Sequence, residues 1–342
     1  MVNGIININK PAGFTSFDVV AKLRGIVGQR KIGHTGTLDP DATGVLPVVL
    51  GSATKLVDML TEKTKVYEAT LELGKTSDTL DASGNILSVS DVKVSEEEVK
   101  EAIAGFVGDI MQIPPMYSAL KVNGKKLCDL ARSGIEVERK PRPVTIHSIK
   151  VEEISLPFVK ITVSCSKGTY IRTLCDDIGR KLETGAIMTS LVRTGSGSFS
   201  LENSITLDEL QQLKNSGRLE EAVIPVDSVF ASCLSAYPEG RVLKAVLNGN
   251  SVTFADMKAC IKEAPKSDVG AYKDDTGVIN SDCDSQKGDP AKVSMIPDME
   301  NAYGNCIRVY ADGEFLALYE PDPVKKIYKV RQMFGGQGDH SK

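Results

Sequence analysis

The chain has 342 residues, 41% of them hydrophobic and 25% charged, with a formal net charge of −4. That length leaves room for two domains with a sizeable core, and no apolar run approaches the ~18–20 residues of a membrane span. The opening MVNGIININKPAGFTS lacks the basic-then-apolar pattern of a signal peptide, so a cytoplasmic protein with no membrane partner is expected.

Seven cysteines without a C-x-x-C pair, and only three histidines, point away from a disulfide framework or a zinc site. The thiols are expected to pack as small apolar groups, and no metal is expected. Charge is unevenly spread. From Lys262 to Glu300 there are five lysines and nine acids, which carry the whole acidic excess. From Lys121 to Arg142 the sign reverses, with seven basic residues facing three acids. A local basic stretch can engage phosphates even on a nearly neutral protein.

In chain order, GIININK reads as a short strand ending in a Pro11–Gly13 turn. SFDVVAKLRGIVG follows as a helix, with Ser16 as a candidate cap and Gly25 or Gly28 near its end. KVYEATLELG alternates as a strand does. SEEEVKEAIAGFVG opens with a capping box, Ser95 to Glu98, and continues as an amphipathic helix. FVKITVSCSKG alternates again, with Val159, Ile161, Val163 and Cys165 on one face. TYIRTLCDDIGRKLE is a helix whose apolar stripe is Ile171, Leu174, Ile178 and Leu182, which leaves Arg172 on the solvated side. Strands and helices mix without a repeated strand–helix unit, so the expected class is α+β, with a mixed or antiparallel central sheet and flanking helices.

After VIPVDSVF the character changes. NCIRVYADGEFLALYE carries a hairpin signature around Asp312-Gly313. The Asp- and Lys-rich segment before it is poor in large apolar residues and reads as a flexible insertion over about 262–300. The expected domains are therefore 1–230 and a small, mainly β unit over 231–342.

The chemistry centres on GHTGTLDPDATGVLPV, Gly33 to Val48. Pro40 pushes Asp39 towards extended backbone, and the flanking glycines allow tight bends. The result is a stiff loop that presents the carboxylate of Asp39. Taken alone, Leu-Asp-Pro is read first as an Asx-turn. The segment nevertheless resembles the catalytic motif of the TruB family of tRNA pseudouridine synthases. NKPAGFTS, KVYEA, QIPPMYSALKVNGKKL, SKGTYIRTLCDDIG and LVRTGSGSF resemble the family's other motifs in the right order, over roughly residues 3–200. Thr35 after His34, in place of Ser, resembles the bacterial members.

That resemblance implies the pseudouridine synthase fold plus a PUA-like C-terminal RNA-binding domain. It also implies isomerisation of the T-loop uridine of tRNA, conventionally position 55. Nothing is oxidised or added, so no cofactor is implied. It assigns Asp39 as the catalytic carboxylate, Arg172 as its cation, Tyr67 as the base-stacking ring and Tyr170 as a second active-site tyrosine. Leu191 lines the pocket, His34 fills the space left by the flipped base, and Lys10 supports the loops. Without the resemblance these residues read as a half-buried strand tyrosine, a core tyrosine, plain packing, a loop histidine and a surface lysine.

The basic stretch, with Lys121, Lys125, Lys126 and Arg132, resembles the family's thumb, at about residues 118–145, which closes on the T-arm. Pro141-Arg142-Pro143 argues for a loop there rather than one continuous helix. Cys128 and Ile187 stand where many members carry tyrosine and histidine. A monomer without an obligatory protein partner is expected. Two alternatives use the same residues: a tRNA-folding chaperone, and a guide-RNA-dependent synthase. The absence of long basic tails argues against the second.

Overall fold

The structure is a computed structural model that describes residues 1–261 and 306–335. The insertion expected at 262–300 and most of the C-terminal tail lie outside the described residues. The chain divides into two units, Met1–Pro225 and Val226–Lys342. Among the described residues no helix is long and apolar enough to cross a membrane.

The first unit is built on a nine-stranded sheet. Its main path runs Gly4–Lys10, Thr43–Leu50, Ala186–Ser196, Lys65–Leu73, Phe158–Cys165, Arg142–Ser155, Gly108–Gln112. Ile32–His34 adds to Thr43–Leu50, and Phe199–Ser200 adds to Ala186–Ser196. Neighbours are antiparallel except Thr43–Leu50 beside Ala186–Ser196, which are parallel. This is the mixed α+β sheet that the alternating sequence implied.

Two apolar clusters flank it. One joins the strands of Ala69, Leu71, Ile161, Val163 and Met188 to the helices Glu96–Ala104 and Ile171–Lys181. The other joins Ile6, Ile8, Leu46 and Val48 to the helices Ser16–Val27 and Leu207–Asn215. The expected face of Val159, Ile161, Val163 and Cys165 is wholly buried. The Ser95–Glu98 capping box forms. The first helix is capped one residue earlier than expected, because Thr15, not Ser16, has the extended backbone and closes a capping box with Asp18; Gly28 ends the helix in the left-handed region.

The segment read as a thumb loop has its own structure. Lys121–Val122 pairs with Lys125–Lys126 in a hairpin, and a short helix, Leu127–Arg132, follows. The turn is Asn123-Gly124, both at positive φ, as a two-residue hairpin requires. Arg142 is already in the sheet, opposite Gln112. No continuous helix runs through the segment; the short helix ends at Arg132, well before the prolines.

Among the described residues, the second unit holds a five-stranded sheet with two short helices, Gly240–Leu247 and Phe254–Cys260. The hairpin expected at Asp312-Gly313 joins Ile307–Ala311 to Glu314–Asp322, with both turn residues at positive φ. Its core includes Val246, Met257, Val309, Ala317 and Tyr319.

The parallel pair in the first unit has a strict steric requirement. Gly44 has φ +101, and a Cβ there would lie 2.2 Å from the Arg193 carbonyl oxygen. Gly44→Ala is therefore expected to destabilise the first unit by about 2–4 kcal/mol, read by denaturant unfolding. A loss below about 0.5 kcal/mol, the range of ordinary surface changes, would show that the two strands do not approach this closely.

Candidate active site

Asp39 sits on the loop between the strands Ile32–His34 and Thr43–Leu50. The loop is anchored on both sides of the carboxylate. Leu38 and Ala42 are buried in the larger apolar cluster. The Ser16 hydroxyl accepts from Leu38 N at 2.9 Å, and Ala42 N donates to Asp39 O at 3.2 Å. Lys10, at the end of the first strand, is wholly buried. Its Nζ donates to the carbonyls of Pro11 (2.9 Å), Phe14 (2.6 Å) and Pro40 (2.9 Å). All three ammonium protons thus have acceptors in the chain itself. Burial lowers its pKa to about 8, against the pull of Asp41 and Asp39.

Opposite the loop stands Arg172, in the first turn of the helix Ile171–Lys181. The apolar spacing put it on the solvated side, yet it is only 5% exposed. The reason is tertiary: the Asp39 loop, the Thr79–Asp81 turn and the root of the thumb all close over the start of this helix. The guanidinium meets both Asp39 oxygens, Nε to Oδ2 and Nη2 to Oδ1, each at 3.0 Å. Nη2 also donates to the Tyr117 carbonyl at 2.8 Å and Nη1 to the Thr79 carbonyl at 3.1 Å. The remaining contact is Nη1 to Asp81 Oδ2 at 3.5 Å.

Asp81 did not emerge from the sequence. Its Oδ1 accepts from the hydroxyls of Thr79 and Ser83, both at 2.6 Å, and from Ser83 N at 3.0 Å. The turn is held in shape by a strained residue, Leu80, at φ 65. Leu80 O accepts from Met188 N, and Ala82 N donates to Met188 O.

Asp39 has 38% of its side chain open to solvent, but the carboxyl lies in a recess walled by protein. This desolvation raises its pKa. Arg172 pulls it down and the Asp81 charge pushes it up again, leaving it above the ordinary value.

Tyr67 lies on the strand Lys65–Leu73, in register with Arg193 on one side and Val163 on the other. Burial raises its pKa, and the neighbouring Arg193 guanidinium opposes that rise. Arg193, within LVRTGSGSF, is a second residue that spacing did not single out. It is 1% exposed. Its Nε donates to Val45 O at 2.6 Å and its Nη2 to Gly36 O at 3.2 Å. One buried cation thus stands opposite Tyr67 in the sheet and holds carbonyls on either side of the Asp39 loop. Leu191, two residues earlier on the same strand, is buried against Leu38, Ala69 and their neighbours.

Tyr170 is the N-cap residue of the Arg172 helix. Burial raises its phenol pKa, opposed by the neighbouring Ser118 hydroxyl, Arg142 and Arg172. His34 is half-buried, with Nδ1 accepting from Gly36 N at 3.4 Å; burial, then Arg193, lowers its pKa. Asp39, Tyr67, Tyr170, Arg172, Leu191, His34 and Lys10 therefore belong to one neighbourhood. Lys121, Lys125, Lys126 and Arg132 are exposed on the thumb, with Arg132 3.9 Å from Asp129. Cys128 is half-buried on the thumb helix, and Ile187 is packed at 2% exposure in the sheet.

Two family models match the chain. The N-terminal domain of TruB family pseudouridylate synthases covers residues 24–171, and the tRNA pseudouridylate synthase B C-terminal domain covers residues 172–231. The tRNA pseudouridine synthase B of Clostridium acetobutylicum is 51% identical over 256 residues, 74% of this chain and 86% of that protein. That of Alkaliphilus oremlandii is 44% identical over 290 residues, 84% of this chain and 96% of that protein. Among solved structures, a chain of a Cbf5-Nop10-Gar1 complex superposes with a TM-score of 0.66 at 26% identity, covering 97% of this chain and 85% of that one. An H/ACA RNP bound to a substrate RNA containing 2′-deoxyuridine gives 0.64 at 24% identity, a likeness of fold alone.

Asp39 is expected to titrate above the ordinary aspartate value of about 3.9, followed by its side-chain carbonyl resonance and assigned by its loss in Asp39→Asn. Asp81→Asn removes a like charge, so the Asp39 midpoint is expected to move down. An unchanged or higher midpoint in that variant would remove Asp81 from the electrostatics of the pair.

Proposed function

The chain belongs to the TruB family of pseudouridylate synthases, and on that premise we propose that Asp39 is the carboxylate through which it isomerises the T-loop uridine of tRNA at position 55. The protein is an enzyme, an isomerase that makes pseudouridine in tRNA. The observation that carries the assignment of Asp39 is its two-point pairing with Arg172. An Asx-turn carboxylate spends its oxygens on neighbouring backbone. Both Asp39 oxygens instead face a buried guanidinium, and the carboxyl stays open on one side.

The reaction breaks the N1–C1′ bond of uridine, turns the base and joins C5 to C1′. The C5 proton leaves and N1 gains one, so atoms and electrons balance without a co-reactant. Arg172 stabilises the ionised form of Asp39 that this chemistry uses. Tyr67 offers a ring face to the detached base. The phenol of Tyr170, beside Arg172, is suited to hydrogen-bonding the base or moving a proton, and Leu191 supplies an apolar wall. His34 fills the stack once the uridine has flipped, a step that costs a few kcal/mol. Lys10 acts through the loop, since its ammonium is fully engaged by backbone carbonyls.

The exposed thumb lysines meet the phosphates of the T-arm, and the C-terminal unit serves as a PUA-like RNA-binding domain. The enzyme acts as a cytoplasmic monomer. A tRNA chaperone could use the same clamp, but it has no need of a desolvated Asp39–Arg172 pair.

Asp39→Asn is expected to abolish pseudouridine formation while tRNA still binds. The check is to incubate unmodified tRNA with each protein and map pseudouridine by position. Ordinary turnover by the variant, or product away from the T-loop, would overturn the assignment. Neutralising Lys125, Lys126 and Arg132 together is expected to weaken tRNA binding and to flatten its salt dependence by roughly one unit of slope per lost phosphate contact, if the duplex-DNA relation carries over. Wild-type affinity and slope in dissociation constants measured across salt would remove the thumb from RNA recognition.

A further inference from the structure

Helix Ile171–Lys181 carries Arg172 in its first turn and Tyr170 at its cap, yet the cap makes no side-chain hydrogen bond of its own. A start without a cap leaves backbone donors unsatisfied and the first turn free to fray. Another residue holds it. Gln112 is 1% exposed. Its Oε1 accepts from Tyr170 N at 3.0 Å, and its Nε2 donates to Tyr170 O at 3.3 Å. One planar carboxamide thus grips both polar groups of the Tyr170 backbone.

The place of Gln112 in the chain gives this grip a further meaning. Gln112 is the last residue of the strand Gly108–Gln112, and the chain then leaves the sheet towards the thumb. Its register partner is Arg142, the first residue of the strand on which the chain returns. Both ends of the thumb therefore meet the sheet at the residue that holds the catalytic helix. The thumb root makes a second link, because the Tyr117 carbonyl accepts from Arg172 Nη2 at 2.8 Å. Ser118 O in turn accepts from Cys128 N on the thumb helix at 3.1 Å.

We propose that Gln112 is a positioning residue for the isomerisation: it sets where Tyr170 and Arg172 stand, and joins that placement to the root of the thumb. The inference rests on the reading of Tyr170 and Arg172 as active-site residues. Gln112 touches no substrate; it acts through the Tyr170 backbone.

The test compares Gln112→Met, similar in length but unable to hydrogen-bond, with Gln112→Glu. Three quantities are measured for each: the single-turnover rate of pseudouridine formation at saturating tRNA, the tRNA dissociation constant, and the thermal unfolding midpoint. A small misplacement of reacting groups costs up to about 100-fold in rate. Gln112→Met is accordingly expected to lose about 10- to 100-fold in rate, with the dissociation constant within about threefold of wild type. Gln112→Glu adds a readout that a purely structural role does not move. Its ionised carboxylate still accepts from Tyr170 N but repels Tyr170 O, whereas the protonated acid donates to Tyr170 O and restores both bonds. Its rate relative to wild type is therefore expected to rise as pH is lowered from 8 to 6.

A wild-type rate in Gln112→Met would overturn the proposal, as would a pH-independent ratio in Gln112→Glu. So would a rate loss matched by an equal loss of tRNA binding. If Gln112→Met does not fold, the pH ratio of Gln112→Glu decides alone. Asp39→Asn and Arg172→Lys are run alongside. Turnover in those two defeats the active-site reading itself, whereas their inactivity beside a normal Gln112→Met defeats only this inference.

Discussion

A buried guanidinium is tolerable only when its donors are met, since desolvating a cation costs several kcal/mol. Arg172 has five N–H groups, and five contacts reach them: both oxygens of Asp39, one of Asp81, and the carbonyls of Thr79 and Tyr117. These acceptors come from the loop after the second strand, a turn between strands, and the root of the thumb. The ion needs all three segments in place, so the same requirement that satisfies Arg172 assembles the pocket around Asp39.

Two other buried cations repeat the pattern on a smaller scale. Lys10 holds the carbonyl next to Asp39, and Arg193 holds carbonyls on either side of the loop. Neither pairs with a carboxylate at hydrogen-bond distance, so the positive charge they bring is satisfied by backbone dipoles. It remains available to the field at the pocket. For Asp39 the outcome is a contest. Burial raises its pKa more than Arg172 lowers it, with Asp81 adding to the rise. A carboxylate in that state is less solvated than an exposed aspartate and correspondingly more ready to react.

The loop, the helix and the thumb are separate in sequence but share supports. Gly44 lets the strand after the Asp39 loop lie against Arg193. Arg193 stands opposite Tyr67 in the sheet and holds the Asp39 loop, and Gln112 reaches the cap of the Arg172 helix. Arg193 and Gln112 are side chains on sheet strands that act on a loop and on a helix start. The sheet thus sets the position of the loop and of the helix start.

The sequence by itself determined the elements whose signal is local. Period-two apolar runs marked the strands of Tyr67 and Val163, the Ser95–Glu98 box marked a helix start, and Asp312-Gly313 marked a hairpin. Asn123-Gly124 carried an equal signal for the thumb hairpin, hidden by the charges around it. The motif residues Asp39, Tyr67, Tyr170 and Arg172 were legible through resemblance, not through spacing, because each sits in an ordinary local pattern. The tertiary structure alone decided the rest. Arg172 is buried because three distant segments cover it. Asp81 belongs to the site because a turn held by Leu80 and Met188 brings it to the same ion. Arg193 and Gln112 matter through backbone groups of residues far from them in sequence. Burial and long-range hydrogen bonding depend on what the folded chain brings alongside, and no local periodicity carries that information.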